Sequence, residues 1–496
     1  MIVVLLAKPL EDCSPILIAG QGNEYAMELI TEKGACRLMR SFELQSSSEE
    51  QNIDGGDCKI SHLPDCILHR ILSYLPTKEV VATSILSKRW KHLWTEVTYF
   101  DFDDSMLYSS QTDFRHPLDV TRFMNFVERV LLVREKSDMK RFRLSCRVCF
   151  SESSVHEWIS AALRHNVQEL DLCLFVQEPF TLPWGVFDHS SLTAVRLEMN
   201  CTLQLPTCIS FPYLRRLHLC LVTFPNDLLM QKLFSSCPFL EELAILDCEW
   251  INMKCISIAI PSLKSLILDD LPFCSVDDLR GCEIKIDAEN LVFFKYCGYL
   301  SNEIHIYDLS SSALALINVP ILCQRQREIT SRTFKLFRGL KNVSSLRISS
   351  GALESLFLAD DVLDRLPIFE NLTLLELRGQ FGGHCIELLM EFLYHFPKLQ
   401  SLHFCEGLGC CKDDCKMKLT PSHSLSNLKT VNYQNFYGTS TEIYFVKFLL
   451  KNAVTMMKMD VVWSKSFSGD PKDQLMIENQ LHALPRGSRH CALVLT

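Results

Sequence analysis

Positive charge is the scarcer sign in this chain: 50 Lys and Arg face 59 Asp and Glu, for a formal net charge of −9. A protein that grips a nucleic-acid backbone needs a basic field, so nucleic acid is not an expected partner. Long apolar runs are missing as well, and no stretch reaches the length that crosses a bilayer. The opening MIVVLLAKPL has no basic residue ahead of its short apolar run, which is not the layout of a secretory signal. We expect an intracellular protein of the nucleus, the cytoplasm or both, with no membrane partner. Residues 1–56 are expected to be a poorly structured leader, with Met27 and Met39 as alternative starts. Signatures of catalysis are absent too. There is no Gly-rich phosphate loop and no nucleophile elbow, and none of the 15 histidines falls in an HExxH spacing. The expectation is a protein that is not an enzyme, with no catalytic residue and no cofactor.

Cysteine, by contrast, is plentiful. The 23 cysteines are an odd number scattered along a large chain, which is not a disulfide framework. Cys220, Cys248 and Cys297 each follow a strand-like run, where a reduced thiol acts as a small hydrophobe. Cys146 and Cys149 lie three apart on one expected strand, and so on opposite faces. The segment HFCEGLGCCKDDC (403–415) packs His403, Cys405, Cys410, Cys411 and Cys415 closely. Zinc requires four converging ligands, usually from paired short spacings, and the spacing here is irregular. A Cys-rich loop between repeats, with no metal, is the expectation.

What fills the middle of the chain is a repeat. The pattern apolar-x-x-apolar-x-apolar recurs as VQELDL (167–172), LTAVRL (192–197), LRRLHL (214–219), LEELAI (240–245), LKSLIL (263–268) and LVFFKY (291–296). It continues as LALINV (314–319), VSSLRI (343–348), LTLLEL (372–377), LQSLHF (399–404) and LKTVNY (428–433). Successive starts lie 22 to 29 residues apart, the period of leucine-rich repeats. One short strand per repeat would turn its fourth and sixth residues inward, and parallel stacking would join these strips into one core. Proline leads such as FPYL, CPFL, IPSL and FPKL hand the chain into the strand. The fold class is therefore α/β, with a curved solenoid over residues 167–427. Residues 105–166 would be a linker and opening cap: a helix at 118–136, a strand at 141–150 and a helix at 155–166.

The fifth residue of each repeat would face away from the core, on the concave side. That column reads Asp171, Arg196, His218, Ala244, Ile267, Lys295, Asn318, Arg347, Glu376, His403 and Asn432. Mixed charge, amide and apolar groups suit a surface for a folded protein partner. Of these, Asp171, Arg196, His218, Lys295, Arg347, Glu376, His403 and Asn432 are the candidate target-binding residues.

Residues 63–94 read LPDCILHRILSYLPTKEVVATSILSKRWKHLW. Pro64 and Asp65 suit a helix start, and Ile67, Leu68, Ile71, Leu72 and Leu75 form one apolar stripe. Pro76 ends that helix. Thr77 is expected to cap a second helix carrying Val80, Val81 and Ile85, and Ser87 a third carrying Trp90, Leu93 and Trp94. So short a segment cannot stabilise itself, and an apolar surface of this kind implies a partner.

This stretch resembles the plant F-box through Leu63-Pro64-Asp65, Ile71-Leu72, Leu75-Pro76-Thr77-Lys78, the run Thr83 to Trp90, and Leu93-Trp94, continued by FDFDD (100–104). The resemblance implies an F-box module at 57–104 that docks a Skp-type adaptor and, through it, cullin and RING subunits. The adaptor-facing residues it implies are Leu63, Pro64, Ile67, Leu68, Ile71, Leu72, Leu75, Val80, Leu86 and Trp90. A second resemblance covers 428–496. Gly438, Glu442, the run Leu449 to Ala453, Met459, Pro485, Arg486, Ser488 and Cys491 are similar to the FBD domain of plant F-box/leucine-rich-repeat proteins. It implies an α+β cap on the last repeat. Together they imply a substrate-recognition subunit of a Skp–cullin–F-box ubiquitin ligase that holds a protein target on the repeats. The alternative is a non-degradative repeat scaffold that uses its F-box for assembly or inhibition.

Overall fold

The computed structural model describes residues 63–107, 117–134, 138–147, 150–177, 179–250, 253–270, 281–307, 309–320, 326–358, 362–381, 386–408, 425–467 and 471–496. The expected leader and most of the Cys-rich loop, including Cys410, Cys411 and Cys415, lie outside the described residues.

Strict alternation of apolar and polar residues generates the architecture. The chain first forms three short helices, α1 (Asp65–Leu72), α2 (Thr77–Ala82) and α3 (Trp90–Leu93), then strand β1 (Tyr99–Asp103). Helix α4 (Pro117–Val133), strand β2 (Arg141–Cys146) and helix α5 (Glu152–Arg164) follow. Next come β3 (Glu169–Leu174), β4 (Ala194–Met199), β5 (Arg216–Cys220), helix α6 (Asp227–Ser235) and β6 (Glu242–Leu246). Beyond these the strands are β7 (Cys255–Ala259), β8 (Ser265–Asp270), β9 (Glu283–Asp287), β10 (Phe293–Gly298), β11 (Glu303–Ile306) and β12 (Leu314–Asn318). The chain continues through α7 (Gln326–Gly339), β13 (Ser345–Ser349), α8 (Ser350–Phe357), α9 (Val362–Arg365), β14 (Leu374–Arg378), α10 (Ile386–Leu393) and β15 (Ser401–Phe404). It closes with β16 (Thr430–Phe436), α11 (Ser440–Asn452), β17 (Lys458–Trp463), α12 (Pro471–His482) and β18 (Ala492–Leu495).

Among the described residues, fifteen strands make one sheet in chain order, interrupted only because β7, β9 and β11 leave to form a separate three-stranded sheet. Neighbouring strands pair parallel throughout, as a stack of equivalent repeats requires. The fourth and sixth residues of each repeat are buried, as in Leu170 and Leu172, Leu217 and Leu219, and Leu375 and Leu377. The small second sheet escaped the sequence pattern. Its strands, CISIA, EIKID and EIHI, are too short to give a hexad, and they bury Ile256, Ile258, Ile284 and Ile286 behind the repeats.

Register corrects one repeat. Leu316, not Asn318, pairs with Lys295, so LALINV was framed two residues late and the true fifth position is Leu316. Asn318 sits opposite Cys297 and donates to its sulfur at 3.2 Å. The hexad was ambiguous there because a small Ala315 takes the inward fourth place, while Leu314 and Leu316 face out.

The C-terminal α/β segment is anchored by a buried carboxylate. Thr439 and Glu442 form a reciprocal capping box at the start of α11. Glu442 also accepts from the Tyr433 hydroxyl at 3.1 Å and from the Tyr437 N–H. Burial pushes its pKa up from the ordinary carboxylate value despite these donors. No helix among the described residues is long and apolar enough to cross a membrane.

Candidate functional site

Two surfaces carry the residues singled out above. The first is built by α1, α2 and α3, whose apolar stripe is divided between interior and exterior. Leu68, Leu72, Val80, Trp90 and Leu93 are buried within the chain. Four of these, Leu68, Leu72, Val80 and Trp90, were expected to face a partner. The structure instead spends them on packing the helices together, since thirty residues have no other core to draw on. Ile67 and Leu86 are 43% exposed, Tyr74 65% and Ile85 79%. Pro64 is exposed, and Leu63, Ile71 and Leu75 are half-buried. The expected set is thus split, and the most exposed apolar side chains, Tyr74 and Ile85, were not in it. Ile85 follows α2 in a 3₁₀ turn (Thr83–Ile85), which rotates it off the buried stripe on which helical spacing had placed it. Arg89 bonds back to Asp65 at the start of α1, closing the three helices on each other.

This module is mounted firmly on the sheet. Helix α1 ends at Leu72 rather than Leu75, and α2 begins after Pro76 with no side-chain cap. The Thr77 hydroxyl, expected as that cap, is buried and accepts the N–H of Asp101 in β1 at 2.8 Å. It thereby satisfies a backbone donor on the sheet's first strand. Arg134, beyond α4, donates to the carbonyls of Val97 and Asp138 and lies 4.7 Å over the Phe100 ring. Burial pulls its pKa down to about 10, still charged at neutral pH.

The second surface is the open face of the main sheet. Fifth positions run in unbroken register from Asp101 through Arg143, Asp171, Arg196, His218, Ala244, Ile267 and Lys295. They continue through Leu316, Arg347, Glu376, His403 and Asn432. All eight candidate target-binding residues share this face. Over β1 to β6 the charges pair with each other. Arg143 lies 2.8 Å from Asp101 and 3.4 Å from Asp103, Arg141 3.0 Å from Asp171, and Arg196 2.7 Å from Glu198. Burial opposes the charge on Arg143, but the surrounding aspartates outweigh it and raise its pKa. His218 Nε2 sits 2.7 Å from Glu242, a hydrogen bond that holds the Glu242 carboxyl below its ordinary value.

Further along, Glu376 takes Arg347 at 2.9 Å and Arg378 at 2.6 Å. The Cys405 thiol leans on the same carboxylate at 3.5 Å, and burial pushes its pKa up to about 11. Among the described residues no cluster of His, Cys, Asp and Glu has the geometry of a metal site.

Known families match the chain in the same order as these parts. The F-box domain matches residues 60–101, the LRR repeats of FBD-associated F-box protein At5g56370 match 155–308, and the FBD matches 418–460. An Arabidopsis thaliana F-box protein, At3g58860, is 30% identical over 422 residues, 81% of this chain and 88% of its own length. The F-box/LRR-repeat protein At2g42730 of the same plant is 29% identical over 462 residues, 88% of this chain and 97% of its own. F-box/FBD/LRR-repeat protein At5g56420, also from Arabidopsis thaliana, is 28% identical over 445 residues, 88% of this chain and 98% of its own. An F-box that shows apolar side chains, a parallel repeat sheet and a C-terminal FBD, aligned with such relatives over most of both chains, make this chain a member of the plant F-box/FBD/LRR-repeat family.

Proposed function

We propose that the chain is the substrate-recognition subunit of a Skp–cullin–F-box ubiquitin ligase. The observation that carries this reading is the pairing of an exposed apolar F-box surface (Ile67, Tyr74, Ile85, Leu86) with a long open sheet face on one body. The exposed F-box side chains would dock a Skp-type adaptor, together with the neighbouring Leu63, Pro64, Ile71 and Leu75. Cullin and RING subunits would follow through that adaptor. The open face, with Asp171, Arg196, His218, Lys295, Arg347, Glu376, His403 and Asn432, would hold a protein target. The chain itself would do no chemistry. Its work is to raise the effective concentration of a target lysine beside a charged conjugating enzyme. The Thr77 and Arg134 contacts support this, because a firm mount fixes the distance between docking surface and target face.

The test is co-expression of the full chain with a Skp-type adaptor and cullin, followed by target measurement with and without proteasome inhibition. Co-purification is expected, and it should be lost on replacing Leu63, Pro64 and Ile71 together by Ala. Bound proteins should accumulate when the proteasome is blocked. Adaptor binding that survives in a well-folded triple variant refutes the docking assignment. Normal adaptor binding with no proteasome-dependent target points instead to a non-degradative scaffold.

A further inference from the structure

The main sheet ends in two edges, β1 and β18, and the chain treats them differently. On β1 the Thr77 hydroxyl takes the Asp101 N–H, and Asp101 and Asp103 put charge on the strand. Such devices keep a strand edge from pairing. β18 has neither. Its residues Ala492–Leu495 carry no charge and no proline. The N–H of Ala492 donates to Met457, that of Thr496 to Val461, and the Thr496 carbonyl accepts from Trp463. Even-numbered residues thus bond to β17, and alternation turns the N–H and C=O of Leu493 and Leu495 away from it. Arg486 reaches the Cys491 carbonyl, just before the strand. Among the described residues no strand pairs with the outer side of β18.

The core is open at the same place. Leu493 and Leu495 stand opposite Met459 and Val461, which are fully buried, yet are only half-buried themselves. Helix α12, which leads into β18, leaves Leu475 and Met476 exposed. A stack of repeats needs a polar outer face where it ends, and this end shows apolar side chains instead. What fits it is a strand with the same alternation, apolar toward the core and uncharged on the open face. A second β18 has that alternation. Set antiparallel about a twofold axis at Val494, Leu493 of each chain faces Leu495 of the other, and each such pair exchanges both N–H···O bonds. Like charges stay apart in this arrangement. Arg486, Arg489 and His490 all precede the strand. Antiparallel pairing sends the two sets to opposite ends of it, about 14 Å apart, beyond the Debye length of about 8 Å. Parallel pairing would set them side by side.

We infer that the outer edge of β18 is a docking surface for a second copy of this chain, paired antiparallel across Val494. The twofold axis stands perpendicular to the sheet, so both open faces look the same way and the F-box modules lie at the two far ends. The pairing does not depend on what the open face holds.

The test is sedimentation of the full chain over a range of concentrations. The mass should rise toward that of two chains. Val494 faces its own copy across the axis, so Val494→Lys and Val494→Glu should each weaken association about tenfold or more, since like charges directly opposite repel. A mixture of the two variants should regain it. Val494 is half-buried on the open face, and the unfolding temperature of each variant should stay unchanged. Amide exchange at Leu493 and Leu495 in the unaltered chain is the second measurement, and it should slow as concentration rises. A chain that keeps the mass of one copy throughout overturns the inference. So does association that ignores both Val494 variants, which would place the contact elsewhere. Slow exchange at the two amides in a single copy also overturns it, because another part of the chain would then cover the edge.

Discussion

The helices of residues 65–93 and the strands of the repeats both write an apolar stripe into the sequence, yet only the strands bury theirs completely. In each repeat the fourth and sixth residues are interior, down to the small Ala315. In the first helix the stripe divides: Leu68 and Leu72 are buried, Ile71 is half-buried and Ile67 is 43% exposed. A strand in a stacked sheet has only two faces, and stacking covers one of them whole. A helix of eight residues touches its neighbours along a narrow line, so part of a wide stripe remains outside. The repeats therefore use apolar periodicity for stability, and the F-box uses half of its own for display.

Breaking the inside half of the F-box should cost most. Trp90→Ala is expected to destabilise the module by about 3–5 kcal/mol, because a large buried side chain leaves a cavity. Denaturant unfolding followed in the F-box region checks this, and a loss near zero would mean that Trp90 is not core. Breaking the outside half should leave stability alone. Ile85→Asp with Leu86→Asp is expected to weaken adaptor binding by about 2 kcal/mol or more, roughly thirtyfold. Calorimetric titration with the adaptor would show it, with unfolding unchanged. Reversal of these two results would invert the comparison.

The joint between the regions comes next. Thr77→Val keeps the shape but removes the acceptor for the Asp101 N–H, and is expected to cost about 1 kcal/mol. Faster hydrogen exchange at Asp101 would report it directly. The smallest effects are in pH. Burial alone would raise the Glu376 pKa, but Arg378 and Arg347 bring it below 4.5. Its contribution is thus present above 4.5 and lost as pH falls through the folded value. Glu442 has the opposite sign. Burial raises its folded pKa above 4.5, so its contribution is full below 4.5 and declines as pH rises through the folded value. Comparing Glu376→Gln and Glu442→Gln with the unaltered chain across pH 3 to 7 should show the first gap closing in acid and the second widening. Gaps that move the same way in both would contradict the assignment.

Much of this was legible beforehand because it rests on local rules. Eleven hexads located eleven parallel strands, and one was framed wrongly where Leu314, Leu316 and Ala315 left the inward side ambiguous. The fifth-position column came from the same periodicity. The pairing of its charges did not, because Arg216 and Glu169 are 47 residues apart and meet only across β4. Thr77 shows the limit in one residue. Its place after Leu-Pro suggested a helix cap, but the hydroxyl serves a strand 24 residues on.

By itself, then, the sequence determined which strand residues face inward, the order of the parts and the family to which they belong. Side chains alternate at a fixed period of two, and motifs are contiguous in the chain. Only the tertiary structure decided which half of the F-box stripe is shown, that Leu316 and not Asn318 stands beside Lys295, and which charges on the face pair across strands. Those outcomes depend on strand register and on contacts between distant segments. Burial and ion pairing are settled by such neighbours, and no local pattern contains them.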